Sequence, residues 1–384
     1  GKGVLDKYLA RSGEGIQQVE FVVGDVAQSC RTLRERGAVP VYDEPRRGAN
    51  GTLVNFVLVD LAGESKALVE LVELVPGAKS GLFAQLMKEQ HIRLFAKASG
   101  DRNPFHLDDD YARRSRFGAR IAHGILTASQ ALSRLDEFAP GYRIASIEIG
   151  KFQLPVKIAD LVESHVEVME KNRDSGMIKL RFLAKNQNGE QTLEGLAEIV
   201  PAKDFVWRAG VCSSPHWAKL WTQGLAAFAV RPAPKFQVGE RAALKASGVD
   251  SGCLKITEDT FRAFEILWGA GNPHLERLAC LGPIGHTSAL FAPGFVLAGL
   301  KAMEFGLPIV PGDILETRAA VSEIGATKSG KTLIKIVIDV VKESGEIAAR
   351  GEVTKILADP TESKSSVTNP AEESSLTAQA KRRK

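Results

Sequence analysis

The apolar and polar positions of this 384-residue chain change period along its length. Over residues 1–78, alternation predicts strands at 17–23, 39–42, 52–59 and 67–74. Between the first two, Val26, Cys30 and Leu33 recur at helical spacing, and Gly37 marks the end of an amphipathic helix. This first unit reads βαβββ. Pro76 to Gly81 form a short linker, after which Leu82, Phe83, Leu86, Met87, Ile92 and Phe95 predict a helix that stops at Gly100. A second apolar run, Ile125, Leu126, Ala128, Ala131, Leu132 and Leu135, has the spacing of a buried helix. Segments 144–152, 161–169, 178–184 and 191–200 alternate as strands of an antiparallel sheet wrapped round it, in a unit spanning 79–201. Residues 202–235, with Trp207, Trp217, Trp221, Pro232 and Pro234, fit no repeat and read as a connecting arm. From 236 to 357 the pattern of the second unit returns in weakened form, as an internal repeat. The stretch 358–384, rich in Ser, Thr, Glu and Lys, lacks apolar periodicity and reads as a disordered tail or linker.

Chemistry concentrates in Phe95 to Leu126, FAKASGDRNPFHLDDDYARRSRFGARIAHGIL. Gly100 ends the preceding helix and Pro104 biases Asn103 away from helical dihedrals, which leaves Asp101 and His106 on one turn. Such a turn can bring a carboxylate and an imidazole round a single water, the geometry of general acid/base catalysis, with histidine titrating near operating pH. His123 and Gly124 then open the buried helix, whose free N–H groups can polarise a carbonyl oxygen, and glycine lets a ligand approach closely.

Together GDxNPxH and FGxxIAHG resemble the MaoC-like (R)-specific enoyl-CoA hydratases, or hydratase 2, whose domains have the hotdog fold. The resemblance implies that Asp101 and His106 bind and activate water, that Asn103 orders the site, and that the Gly124 N–H serves the thioester oxygen. Phe152-Gln153-Leu154-Pro155-Val156 and Asp160 resemble the family's F-x-x-P-V-x-x-G-D, with Ala159 in place of glycine. In the repeat, Trp268-Gly269-Ala270-Gly271-Asn272-Pro273-His274 aligns with Ser99 to Phe105, Phe291 to Gly294 with Ile121 to Gly124, and Pro311-Gly312-Asp313 echoes the later strand motif. Ala270 stands where the acid belongs, Leu275 takes the histidine position and His274 falls one residue early. The repeat therefore reads as a catalytically dead hotdog, and Asn103, His123 and Asn272 are expected to contact substrate. The N-terminal GEGIQQVEFVVGDV and ALVELVEL resemble the second half of methylmalonyl-CoA epimerases of the glyoxalase, or vicinal oxygen chelate, superfamily. Gln18 and Glu70 fall at ligand positions of that family, but half a site cannot enclose a divalent ion, so a scaffold or dimerisation module is expected. The expected fold is thus α+β: a half glyoxalase-like module followed by a double hotdog with antiparallel sheets around central helices.

Composition, with 44% hydrophobic and 25% charged residues, is that of an ordinary soluble globular protein, and a formal charge of +4 gives no case for nucleic acid. No apolar run reaches membrane-spanning length and no leader pattern precedes the first unit, so no membrane partner and a cytoplasmic setting are expected. Cys30, Cys212, Cys253 and Cys280 lack CxxC spacing and read as structural thiols. Asn50-Gly51-Thr52 reads as a hairpin turn. Gly325 to Thr332 match the P-loop expression, yet alternation from Leu333 to Val340 predicts a strand where a P-loop needs a helix, so this is a polar hairpin loop. The expected function is a hydro-lyase acting on trans-2-enoyl thioesters of CoA or a carrier protein, with no metal or cofactor and possible homodimerisation through the first unit. Its rivals are a non-catalytic thioester-binding module, and a metal-dependent epimerase formed by two paired N-terminal units.

Overall fold

The computed structural model describes residues 19–61, 65–202, 241–243, 253–268, 272, 274–285 and 294–358. The expectations placed on Gln18, Ala270, Phe291 to Pro293, the arm at 203–235 and the tail at 359–384 lie outside these residues.

The N-terminal unit contains β1 (Val19–Val22), α1 (Val26–Glu35), β2 (Val39–Pro40), β3 (Arg46–Arg47), β4 (Leu53–Leu61) and β5 (Ser65–Glu73). Its sheet runs β1-β5-β4-β2, with β3 on β4 and β1 parallel to β5. The Asp25 carboxylate caps α1 by accepting the Gln28 N–H at 2.8 Å, and Gly37, at φ +89°, ends it. Val26 and Cys30 then pack on Val57 and Leu71. Asn50 (φ 58°) and Gly51 (φ 79°) supply the positive dihedrals that turn β3 into β4, as the sequence led us to expect. A buried ion pair fastens this unit to the rest: Lys171 Nζ meets Glu73 Oε1 at 2.8 Å, with side chains 5% and 6% exposed. Glu73 Oε2 also accepts the Val26 N–H at 3.0 Å, and Lys171 donates to the Gly24 carbonyl at 2.6 Å.

The second unit comprises β6 (Lys79–Leu86), α2 (Glu89–Ser99), α3 (Pro104–Leu107), α4 (Asp109–Arg114), α5 (Gly124–Ser133), α6 (Leu135–Phe138), β7 (Tyr142–Phe152), β8 (Leu161–Lys171), β9 (Ile178–Lys185) and β10 (Gln191–Pro201). The third has β11 (Arg241–Ala243), β12 (Cys253–Lys255), α7 (Glu258–Trp268), α8 (Leu275–Leu278), a 3-10 turn at Ala279–Gly285, β13 (Phe295–Phe305), β14 (Ile314–Ala326), β15 (Thr332–Lys342) and β16 (Ile347–Leu357). One sheet crosses both units in the order β6-β8-β9-β10-β7-β13-β16-β15-β14-β11, with β12 also on β14. The halves mirror one another about an antiparallel seam, where Ile149 faces Leu300 and Ile147 faces Met303. Helix α5 is buried from Ile125 to Ser133, which explains why none of those residues is charged. Trp268 on α7 stacks on Phe264, with ring centroids 4.8 Å apart, and reaches Phe95 on α2 at 6.5 Å, so the two repeats share one core. The P-loop look-alike is the β14–β15 hairpin, closed by Thr327 N–H to the Lys331 carbonyl at 2.8 Å.

The structure corrects some expectations. Residues 82–86 are not helical: they belong to β6, paired with β8, and only Glu89–Ser99 forms the helix before the site. A register shift between Gly81 and Phe83 breaks the two-residue period, so the strand's apolar positions imitate helical spacing. Strand β6 also takes in Lys79 to Gly81 of the expected linker. No helix follows Gly294. Strand β13 starts at once, so α5 has no counterpart at that point of the repeat. Ala358, assigned by sequence to the tail, is 2% exposed and packs with Phe105 and Ile121.

Candidate active site

The loop after α2 is fixed link by link. Gly100 closes the helix at φ +75°, a backbone state that favours glycine. Ser99 Oγ donates to the Phe95 carbonyl at 2.7 Å and accepts the Asp101 N–H at 3.2 Å. Asp101 Oδ1 then accepts the Asn103 N–H at 3.1 Å, which bends the chain back. Asn103 caps α3 through the Phe105 N–H at 3.3 Å, with Pro104 at the first helical position. Its Nδ2 reaches across to donate to the Phe295 carbonyl of the repeat at 3.0 Å. Asn103 is therefore a clamp between the two units.

His106, Asp101 and His123 converge. The His106 Nδ1–H donates to the Ile121 carbonyl at 2.9 Å; a carbonyl can only accept, so Nε2 carries the lone pair in the neutral ring. By the same reasoning His123 Nε2 donates to the Asp101 carbonyl at 3.0 Å. The two imidazoles lie 3.8 Å apart at 34°. Burial lowers the pKa of His106, against the pull of the Asp101 carboxylate, and pushes His123 down to about 3, with the charge of His106 adding to the effect. A neutral ring with an outward Nε2 is a competent proton acceptor near pH 7. Ligand atoms of Asp101, His106 and His123 lie within 4.8 Å of one another, a spacing that suits one small guest, whether water or a cation.

Gly124 begins α5 beside this group. The ring of Phe152 lies 2.9 Å from where a Cβ at Gly124 would sit, so glycine is required for close packing. The first N–H groups of a ten-residue helix have no acceptor within it, and Gly124 and Ile125 at its start line the cavity. The cavity measures about 120 Å³ and is walled by Phe117, Phe152, Leu154, Ile284 and Leu297, with exposed Arg116 at its edge. Carboxylate, imidazole and helix N-terminus thus face one small, largely apolar space, an arrangement able to move a proton to or from water beside a polarised carbonyl.

Of the residues singled out in the sequence, Asp101, Asn103, His106, His123 and Gly124 meet here. Asn272 does not. Its Nδ2 donates to the carbonyls of Ser133 (2.6 Å) and Trp268 (2.9 Å), and its Oδ1 accepts the His274 N–H at 2.8 Å, so it ties the end of α7 to the end of α5. His274 is fully buried outside the cavity, and burial pushes it down to about 3. Sequence reasoning missed Lys355 and Gly285, which line the cavity from the repeat. For Lys355 the sequence signalled only burial: by the alternation of β16 it shares a face with Val353.

A helix buried against an antiparallel sheet, a second sheet continuing it edge to edge, and a carboxylate and imidazole gathered at the helix start are the features of a double hotdog protein. A family model described as MaoC like domain matches residues 75–186. The (R)-specific enoyl-CoA hydratase of Rhodospirillum rubrum is 32% identical over 138 residues, covering 35% of this chain and 95% of that protein. The 3-hydroxybutyryl-CoA dehydratase of Methylorubrum extorquens is 46% identical over 77 residues, 20% of this chain, and the match spans only about half (49%) of that relative's length. Among solved structures, a Mycobacterium tuberculosis protein described as having a double hotdog fold superposes with a TM-score of 0.51 at 15% identity, covering 74% of this chain and 96% of that one. The chain belongs to the MaoC-like family.

Proposed function

We propose that the chain is a hydro-lyase that adds water reversibly to trans-2-enoyl thioesters to give (R)-3-hydroxyacyl thioesters. The observation that carries this reading is the Asp101 carboxylate and the His106 Nε2 facing one small cavity at the start of α5. Water held by the pair gives its hydroxyl to C3, and the proton the pair takes from it is returned to C2 on the same face. The Gly124 N–H stabilises the thioester oxygen while negative charge gathers there. Two relatives are named for this reaction and its reverse, and an acyl-CoA is the corresponding substrate class.

The test is loss of absorbance at the enoyl-thioester band with trans-2-butenoyl-CoA, with the chirality of the product assigned. Asp101→Asn and His106→Gln should each lower kcat by about 10² to 10⁴ with the fold intact, the usual contribution of a general acid or base. Near-normal turnover by either variant would refute the assignment.

For the N-terminal unit we infer a scaffold rather than a metal centre. Its strand order and its parallel β1–β5 pair support the half glyoxalase-like reading. Burial and neighbouring Glu20 both raise the pKa of Glu70, and one half-module offers too few ligands to enclose a divalent ion. A cytoplasmic setting is supported by two buried free thiols, Cys30 and Cys280. Among the described residues no helix is long and apolar enough to cross a membrane.

A further inference from the structure

Strands β10 and β16 are equivalent elements of the repeat. Each has eleven residues, Gln191–Pro201 and Ile347–Leu357, and their patterns of burial coincide position for position. Gly195 matches Gly351, and Ile199 matches Lys355. Ile199 is 0% exposed and Lys355 2%. The fold is thus satisfied by an aliphatic side chain at this point, and its second use holds an amine that must be stripped of water. Such a burial persists where an opposite charge offsets it.

That charge is Asp101. Lys355 lines the same cavity as Asp101, His106 and His123, although it comes from the far end of the chain. Burial lowers its pKa to about 8 and the Asp101 carboxylate opposes that fall, so the amine remains mostly a cation at pH 7. The same cation disfavours charging of His106. The titratable groups that face Asp101 are therefore His106 from α3, His123 at the head of α5 and Lys355 from β16; Gly285, from the 3-10 turn, brings none. Arg116, the other cation of the cavity, is exposed at its edge.

We propose that Lys355 is a positioning residue of the active site, whose buried ammonium supplies the counter-charge to the Asp101 carboxylate within the cavity they share. The second hotdog, which lacks its own acid, completes the site of the first. The kinetic half of this inference rests on the hydratase reading; the electrostatic half does not.

The experiment compares the full chain with Lys355→Met, Lys355→Arg and Lys355→Ile, the last being the residue of the equivalent strand. Ring-¹⁵N histidine spectra followed against pH should show His106 titrating higher in the Met and Ile variants and near its original position in Arg, the direction expected when a nearby buried positive charge is removed. For trans-2-butenoyl-CoA, kcat should fall at least about tenfold in Met and Ile with KM changed by less than about twofold, and Arg should recover most of it. An unmoved His106 titration overturns the proposal, as does a rise in KM alone, which would make Lys355 a substrate contact. Unfolding of both the Met and Ile variants would assign Lys355 to the fold and overturn it too. If the wild-type chain hydrates no enoyl thioester while His106 still shifts, the hydratase reading fails and the placement of charge stands.

Discussion

Replacing Gly285 by alanine should disable the site without removing a polar group. Gly285 ends the 3-10 turn of the repeat, and a Cβ there would lie 2.3 Å from the Cβ of Asp101 and 2.8 Å from its Cγ and Oδ2. Carbon atoms in good contact sit about 3.5–4.0 Å apart, so the overlap with the Asp101 Cβ exceeds 1 Å. Rotating the carboxylate cannot relieve it, because the Cβ moves only with the backbone. That backbone is tied down by Ser99 Oγ on the Asp101 N–H and by His123 Nε2 on its carbonyl. Asp101 must therefore shift by roughly 1 Å, and a misplacement of that size costs about 10² in rate. Overpacking should also lower stability by about 1–3 kcal/mol. Steady-state hydration and urea unfolding read the two effects. Gly282→Ala is the control: its Cβ would meet Phe264 and Ser99 at 3.3 Å, a few tenths of an ångström too close, and kcat should stay within about threefold. A Gly285→Ala enzyme with kcat within threefold of wild type would refute both the packing of the repeat against Asp101 and its bearing on chemistry.

Dialysis against a chelator should leave hydration unchanged, with no stoichiometric ion found by elemental analysis; activity lost and regained with a divalent ion would mean that Asp101, His106 and His123 hold a cation. His274, with neither ring nitrogen hydrogen-bonded among the described residues, should be replaceable by leucine with kcat unaltered. Its pKa is about 3 in the fold, below the ordinary 6.5, so the unfolded chain binds the extra proton and stability is lost as pH falls below 6.5. Between pH 8 and pH 5 that loss is about 2 kcal/mol, and urea unfolding of His274→Leu should show a correspondingly flatter dependence on pH. Lys171→Met strands the Glu73 carboxylate, and removal of one partner from a buried pair costs about 3–5 kcal/mol; limited proteolysis should then cut near residues 74–79, and an unchanged digestion pattern would argue against the pair as the fastening.

How far the sequence disclosed this molecule depended on the range of each interaction. Asp101, Asn103, His106, His123 and Gly124 lie within 24 positions and act through local turns and caps, so their motif carried the whole cluster. The strands from β7 to β10 were legible because one face of each is buried and the alternation holds over most of their length. Strand β6 was not, because its register shift disturbs the alternation. Lys355 and Gly285 stayed invisible as site residues for another reason. They reach Asp101 only through the closing of the sheet between β7 and β13, more than 180 positions away in the chain, and nothing local to either residue encodes that contact. Asn272 misled because the Asn-Pro step is shared with the first copy while its side chain serves the joint between α5 and α7.

The continuous sheet also fixes a stoichiometry. Among the described residues, two hotdog units meet across β7 and β13, and the cavity that holds the Asp101–His106 pair is walled by residues of both. Under the proposed hydratase function, such a chain is expected to bind one acyl thioester, with one class of site in its saturation curve. Counting ligand per polypeptide by calorimetry therefore reads directly on the architecture, and half-of-sites behaviour has no place within one molecule.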